Sequence, residues 1–288
     1  MKEIVVISGK GGTGKTSIAG ALASIAENKA MADCDVDASD LHLILSPEIK
    51  KTEQFTSGFL AEINKNECDE CGKCTEVCRF NAISAEFEVD RFSCEGCGVC
   101  AYFCPKEAIR LNEKNAGEWY ISDTAYGPMV HARLAIAEGN SGKLVTLVRK
   151  EANIIASEKN FNLIITDGSP GIGCPVIASI TGASLILVVT EPSVSGIHDM
   201  KRITELTNHF KIKTLVCINK YDLNNENTEL IEKYCNENNI DVIAKIPYDT
   251  DFVKAQINGK TILQYSDGQA SKEIKNMWEK LNKLIETH

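Results

Sequence analysis

Ser8–Ser17 read "SGKGGTGKTS". The stretch follows "EIVVI" (3–7), a short, β-branched apolar run of the kind that forms a buried parallel strand. It runs on into "KTSIAGALASIAE", an alanine-rich helical segment. Gly9, Lys10, Gly11, Gly12, Thr13, Gly14, Lys15 and Thr16 satisfy the pattern G-x-x-x-x-G-K-[ST] between a strand and a helix, the context that the pattern requires. Glycines there let backbone N–H groups face phosphate oxygens, and the helix N-terminus adds positive potential. Gly9 to Ser17 are the expected nucleotide-binding stretch, with Lys15 reaching the β- and γ-phosphates and Thr16 ligating Mg²⁺. A phosphate loop needs only one lysine, so Lys10 requires its own explanation.

Downstream, "MADCDVD", "FNLIITDG", "SLILVVTEP" and "TLVCINKYD" are further apolar runs ending in polar residues, with helical stretches such as 195–209 and 226–238 between them. Residues 271–287 place Ile274, Met277, Trp278, Leu281, Leu284 and Ile285 on one helical face. Strands alternating with helices predict an α/β, doubly wound, mostly parallel sheet with ligands at the carboxyl ends of the strands. Asp167, at the end of the run "LIITD", is the expected second acidic strand end at the Mg²⁺ site. Asp33, Asp35, Asp37 and Asp40 follow the second strand. One of them can position an attacking water, and the others serve a solvated turn.

The alternation stops between about 60 and 112. The expected division is an ATPase-type domain over 1–60 and 113–288 with a small α+β module inserted at 61–112. "GEWYISDTAYG" suits a hairpin returning the chain to the sheet. Within the insert, Cys68, Cys71, Cys74 and Cys78 have the spacing C-x2-C-x2-C-x3-C, and Cys94, Cys97, Cys100 and Cys104 repeat it before Pro105. This is the bacterial two-cluster ferredoxin run, in which the fourth cysteine of each run serves the other cluster. The expected ligand sets are Cys68, Cys71, Cys74 and Cys104 for one [4Fe–4S] cluster, and Cys78, Cys94, Cys97 and Cys100 for the second. Zinc knuckles are the competing reading; they pair two C-x2-C units across a longer gap. Gly72 and Gly98 suit close backbone approach. Arg79 stands where the first run would carry proline.

The chain has 288 residues, 43% of them hydrophobic, a net charge of −9 and twelve cysteines. The acidic balance argues against nucleic acid as a partner, no apolar run approaches a membrane span, and the start has no secretory character. The expected compartment is the cytoplasm, where clustered cysteines are read as metal or redox groups. Cys34, Cys217 and Cys235 are expected to be buried apolar residues. Cys174 is either a small residue opening a helix before Pro175 or an interface thiol.

"KGGTGKT" resembles the deviant phosphate loop of the MinD, Mrp and nitrogenase-iron-protein class of P-loop ATPases. The resemblance covers essentially all the sequence outside the insert. It implies that Lys10 is a signature lysine touching the nucleotide of the other subunit in a dimer. It implies that "DCDVDASDLHLIL" is a first switch, with Asp35 catalytic and near Mg²⁺, and that "DGSPGIG" is a second. It implies adenine contacts from Asn219, Pro247 and Tyr248, and Cys174 falls at the offset of a cluster ligand in the nitrogenase iron protein. With the insert, the chain resembles MinD-superfamily ATPases carrying a ferredoxin module. The implied cofactors are ATP/ADP, Mg²⁺ and two [4Fe–4S] clusters. The implied partners are a second copy in the ATP-bound state, an electron donor and a metalloprotein acceptor. The leading expectation is an ATPase whose dimer switch gates electron transfer. The alternatives are an ATP-dependent assembly or carrier protein for Fe–S or metal centres, and a switch with structural clusters.

Overall fold

The computed structural model describes residues 1–136, 138–139 and 141–287. In chain order its elements are β1 (Lys2–Ile7), α1 (Lys15–Ile25), β2 (Lys29–Asp33), α2 (Leu41–Leu45), β3 (Glu48–Ile63), α3 (Lys73–Val77), α4 (Val99–Tyr102) and β4 (Ile109–Thr124). They continue with β5 (Gly127–Leu134), α5 (Ser141–Glu158), β6 (Leu163–Asp167), α6 (Cys174–Ile180), β7 (Leu185–Thr190), α7 (Val194–His209) and β8 (Thr214–Asn219). The last are α8 (Asn225–Glu237), β9 (Asp241–Ile246), α9 (Asp251–Ile257), α10 (Ile262–Tyr265) and α11 (Gln269–Thr287).

Among the described residues the nine strands form one sheet in the order β3-β4-β5-β2-β6-β1-β7-β8-β9. From β5 to β9 every neighbour pair is parallel. The large, mostly parallel sheet expected from the sequence is therefore present. The chain divides into two compact units: Met1–Thr52 with Trp119–Arg133 and Ser141–His288, and Glu53–Glu118 with Leu134–Asn140. The second unit extends beyond the segment 61–112 because β3 and β4 run on past those bounds.

In the first unit, strand alternation sorts side chains onto two faces. Ile4 and Val6 of β1 join Leu163, Ile165, Leu187 and Val189 in a core closed by Ile18 and Leu22 of α1 and by Ile274, Met277 and Leu281 of α11. Val5 and Ile7 face the other way, into a core with Ile186, Val188, Val176 and Ile180 of α6, Met200 and Ile203 of α7 and Ile231 of α8. The stripe expected over 271–287 is thus buried as read, with Trp278, Leu284 and Ile285 packed at its margin. Cys34, Cys217 and Cys235 are buried, and burial pushes the Cys217 thiol up to about 12 and the Cys235 thiol up to about 11. They are packing groups.

"GEWYISDTAYG" supplies the end of β4 and the turn into β5, sheet neighbours as a hairpin requires. Two strands went unread in the sequence. Most residues of β3 are exposed, leaving no apolar alternation to see. β9 is a short edge strand with an exposed Asp241 and Lys245.

Ile4 has no accessible surface on the central strand β1. Ile4→Ala removes buried methyl and methylene groups from a sheet clamped on both faces. It should lower unfolding free energy by about 2–5 kcal/mol, read as a lowered urea midpoint with unchanged slope.

Candidate functional site

β1 ends at Ile7, and the chain turns through Gly9–Gly14 into α1. Gly12 and Gly14 have φ of 80° and 90°, the left-handed region that glycine enters at least cost. A Cβ on Gly14 would lie 2.4 Å from Asn219 Nδ2, and one on Gly9 would lie 2.2 Å from Asp199 Cβ. The loop therefore needs glycine both for its dihedral angles and for the close approach of β8 and α7. Asn219 Nδ2 donates to the Thr13 carbonyl at 2.7 Å.

Lys15 is buried. Its ammonium lies 2.7 Å from Asp167 Oδ1 and 3.3 Å from Asp35 Oδ2. Burial alone would lower its pKa, but the charges of Asp167 and Asp35 outweigh this and hold it above the ordinary value. Asp167 is wholly buried, and its Oδ2 has no hydrogen-bond partner among the described residues; the same is true of Thr13 Oγ1. An unpartnered buried carboxylate oxygen is costly. Together with Asp35 and the Thr16 hydroxyl, it is a donor set that fits a hard divalent cation such as Mg²⁺.

Asp33, at the end of β2, is also buried. It accepts hydrogen bonds from the Asp35 N–H at 3.1 Å, the Ser39 hydroxyl at 2.6 Å and the Leu41 N–H at 3.3 Å. Its carboxylate shapes the turn that carries Asp35. Burial, with the nearby charge of Asp167, raises its pKa to about 7. Asp35 is raised by burial, with Lys15 opposing. The loops after β2 and β6 are tied together: the Cys34 N–H donates to the Asp167 carbonyl at 2.8 Å.

A cavity of about 530 Å³ opens over the loop. Gly11 to Ser17, Asp35, Asn219, Pro247 and Tyr248 all line it, so these sequence-predicted residues share one space. Asp40, another of the four carboxylates after β2, also lines it, and the structure adds Phe252 and Val253, which no motif marks. A cleft of equal volume, lined by Thr214 and Asp241, opens at the starts of β8 and β9 and has no phosphate-type loop. Ligands of open α/β sheets sit at the strands' carboxyl ends, which favours the cavity over the loop.

Lys10 does not stand free. Its ammonium lies 2.7 Å from Glu191 Oε1 and donates to Ser195 Oγ at 2.9 Å and Ser193 Oγ at 3.2 Å. Glu191 Oε2 meets Lys220, 2.9 Å away, which also donates to the Gly12 carbonyl at 2.9 Å. Burial would raise the Glu191 pKa, but the two lysines together lower it. Sequence reading missed Glu191 and Lys220; a charged residue just after β7 and another just after β8 were their only signals. Cys174 is exposed at the first position of α6, and Gly142 lies near it.

In the second unit, two small cavities are each ringed by four cysteines: Cys68, Cys71, Cys74 and Cys104 in one, and Cys78, Cys94, Cys97 and Cys100 in the other. These are the two crossed sets. Among the described residues no three His, Cys, Asp or Glu side chains converge on one metal-ion position. A four-iron cube takes one thiolate per iron and needs its thiols spaced around a void. Backbone N–H groups already point at sulfur, Glu70 to Cys68 Sγ and Ala82 to Cys78 Sγ, both at 3.4 Å.

The two cysteine runs are 26 residues apart, and the backbone repeats with them. Gly72 and Gly98 cap α3 and α4 with φ of 74° and 77°. Glu70 and Gly96 have φ of 57° and 62°; Asn81 and Glu107 have 50° and 52°. The halves cross-link reciprocally: the Asn64 N–H donates to Ala108 O and the Asp90 N–H to Ala82 O, both at 2.8 Å.

Asp33 titrates near 7 in the folded chain and near 3.9 when unfolded. Between those values the folded state holds the extra proton, so stability falls as pH rises from about 4 to about 7. Asp33→Asn should flatten that fall. Urea midpoints at pH 5 and pH 8 should separate more for the parent chain than for the variant in the absence of nucleotide and Mg²⁺; equal separation would remove Asp33 as the source.

The family model of the CobQ/CobB/MinD/ParA nucleotide binding domain matches residues 4–262. The Methanocaldococcus jannaschii protein MJ0578 is 34% identical over 286 residues, 98% of this chain and 97% of its own length. The ATP-binding protein MJ0823 of the same organism is 32% identical over 131 residues, 45% of this chain and 49% of its own. The fold matches that of the septum site-determining protein MinD of Pyrococcus horikoshii, solved with Mg-ADP, with a TM-score of 0.61, 15% identity, and 98% of this chain and 96% of that chain covered. The chain belongs to the CobQ/CobB/MinD/ParA family of nucleotide-binding domains.

Proposed function

We propose that this chain is an ATP-hydrolysing iron–sulfur protein in which a nucleotide-driven dimer switch is coupled to electron transfer toward a partner metalloprotein. The observation that carries the reading is the presence in one chain of a phosphate-loop cavity and two separate four-cysteine cavities.

Each residue has a defined task. The backbone N–H groups of Gly11 to Thr16 cradle phosphate oxygens. Lys15 transfers its charge from Asp167 and Asp35 to the β- and γ-phosphates. Thr16, Asp35 and Asp167 would hold Mg²⁺, which would supply charge neutralisation for the phosphates. Asp35 orients the attacking water. Asn219, Pro247 and Tyr248 border the base, with Phe252 and Val253 as further apolar wall. Lys10 leaves Glu191 and reaches the nucleotide of a second copy, adding positive charge where the transition state is negative. The eight cysteines hold two [4Fe–4S] clusters, which supply one-electron redox chemistry. Cys174, exposed beside the second switch-like loop, is an additional interface thiol. A donor and an acceptor metalloprotein complete the path.

Anaerobically purified protein should contain about eight irons per chain, the count for two four-iron clusters; stoichiometric zinc with little iron would sink the reading. Lys15→Ala should lose MgATP binding. Lys10→Ala and Asp35→Ala should each be inactive as ATPases, yet mixing them should restore partial turnover, because one site of the heterodimer combines Asp35 in cis with Lys10 in trans. No recovery in heterodimers that demonstrably form would remove the in-trans role of Lys10. Cluster transfer to an apo-acceptor, without a nucleotide-dependent redox signal, would favour the assembly alternative.

A further inference from the structure

The 26-residue duplication allows a comparison within one molecule, because the two halves share their cysteine spacing and their backbone turns. Cysteines at equivalent places have the same exposure: Cys68 and Cys94 are half-buried, Cys71 and Cys97 exposed, Cys74 and Cys100 buried, Cys78 and Cys104 half-buried. Each four-cysteine set receives one backbone N–H···S bond. Exposure is therefore matched between the two sites cysteine by cysteine.

The charges do not cancel. Around the first set, Glu67, Asp69 and Glu70 are exposed carboxylates, and the nearest lysine, Lys73, is neutralised by Glu76 at 2.9 Å. Lys106 and Glu107, beside Cys104, offset each other. Around the second set the wrapping loop carries Asp90, followed by Arg91, and Glu95, opposed by Arg79 beside Cys78. Where the first half has Asn66, Lys73 and Glu76, the second exposes Phe92 (63%), Val99 (39%) and Tyr102 (85%).

We infer that the two cluster sites are electronically unequal, and that Glu67, Asp69 and Glu70 hold the Cys68/Cys71/Cys74/Cys104 site at the lower reduction potential. This rests on the iron–sulfur reading above. Taking up one electron makes a cluster more negative, and nearby carboxylates oppose that change. The first electron therefore settles on the Cys78/Cys94/Cys97/Cys100 site, and a second is needed to reduce the other. Because the carboxylates are exposed, salt screens them: the Debye length falls from about 10 Å at 0.1 M to about 3 Å at 1 M.

The test is anaerobic potentiometry of the full iron-loaded chain followed by EPR. Titanium(III) citrate serves as reductant, and each Ti(III) oxidised to Ti(IV) delivers one electron. At low salt two one-electron waves should appear, separated by about tenfold in reduction constant, ~59 mV for one electron. Glu67→Gln/Asp69→Asn/Glu70→Gln should raise only the lower wave and narrow the gap, and 1 M salt should narrow it in the parent chain. Should the triple variant lose iron, Tyr102→Glu provides the converse at an exposed position: it should lower only the upper wave. Coincident waves at low salt in a chain holding about eight irons would overturn the inference while leaving the iron–sulfur reading intact. A gap unmoved by salt or by the substitutions would also overturn it. A chain that binds no iron fails the underlying reading instead.

Discussion

One buried ammonium organises the first unit. Lys15 sits at the start of α1 between Asp167 at the end of β6 and Asp35 just beyond β2. With Asp33 close by, three carboxylates crowd around a single cation. Burying that excess of negative charge would be costly in isolation. It persists because the strands that deliver it are locked into the sheet: β2 pairs with β6 from Lys29 to Asp33, and β6 with β1 from Lys2 to Val6. Much of the stability built into the double-faced core is thus committed to holding three carboxylates around one ammonium.

The glycine loop, each strand-end aspartate and each cysteine run were legible in the sequence because each is local, while the crossing of the fourth cysteines was read from the ferredoxin pattern. Spacing along the chain fixes spacing in space when a loop or a single turn connects the residues. Lys15 and Asp167 were readable separately, since each is marked by its own motif. What the sequence concealed is non-local. Nothing near Lys10 announces Glu191, 181 residues away, because an ion pair between distant loops leaves no periodicity. Asp33 looked like one of four turn carboxylates; its burial and the hydrogen bonds it accepts from Ser39 and Leu41 distinguish it as the residue that shapes the turn. β3 escaped because a largely exposed strand has no hydrophobic alternation, and β9 because edge strands carry charge on the residues that would otherwise mark them.

Gly9 shows how one motif letter can have more than one physical origin. In a phosphate loop it is read as freedom for the backbone. Here its Cβ would strike Asp199 on α7, so the glycine also records how closely α7 packs against the loop. Gly14 combines both constraints, a left-handed φ and the side chain of Asn219.

The reciprocal bonds between Asn64 and Ala108 and between Asp90 and Ala82 have a consequence for how the second unit forms. Each half supplies the strand end that closes the other, and the small core of Ala61, Ile83 and Ile109 belongs to both. Each half thus completes the other, as two subunits complete a dimer, but within one chain. The tether between the halves, with its Ile83–Val89 bridge, sets a high effective concentration for that encounter. Lengthening the tether would act on this unit as dilution acts on a two-chain complex.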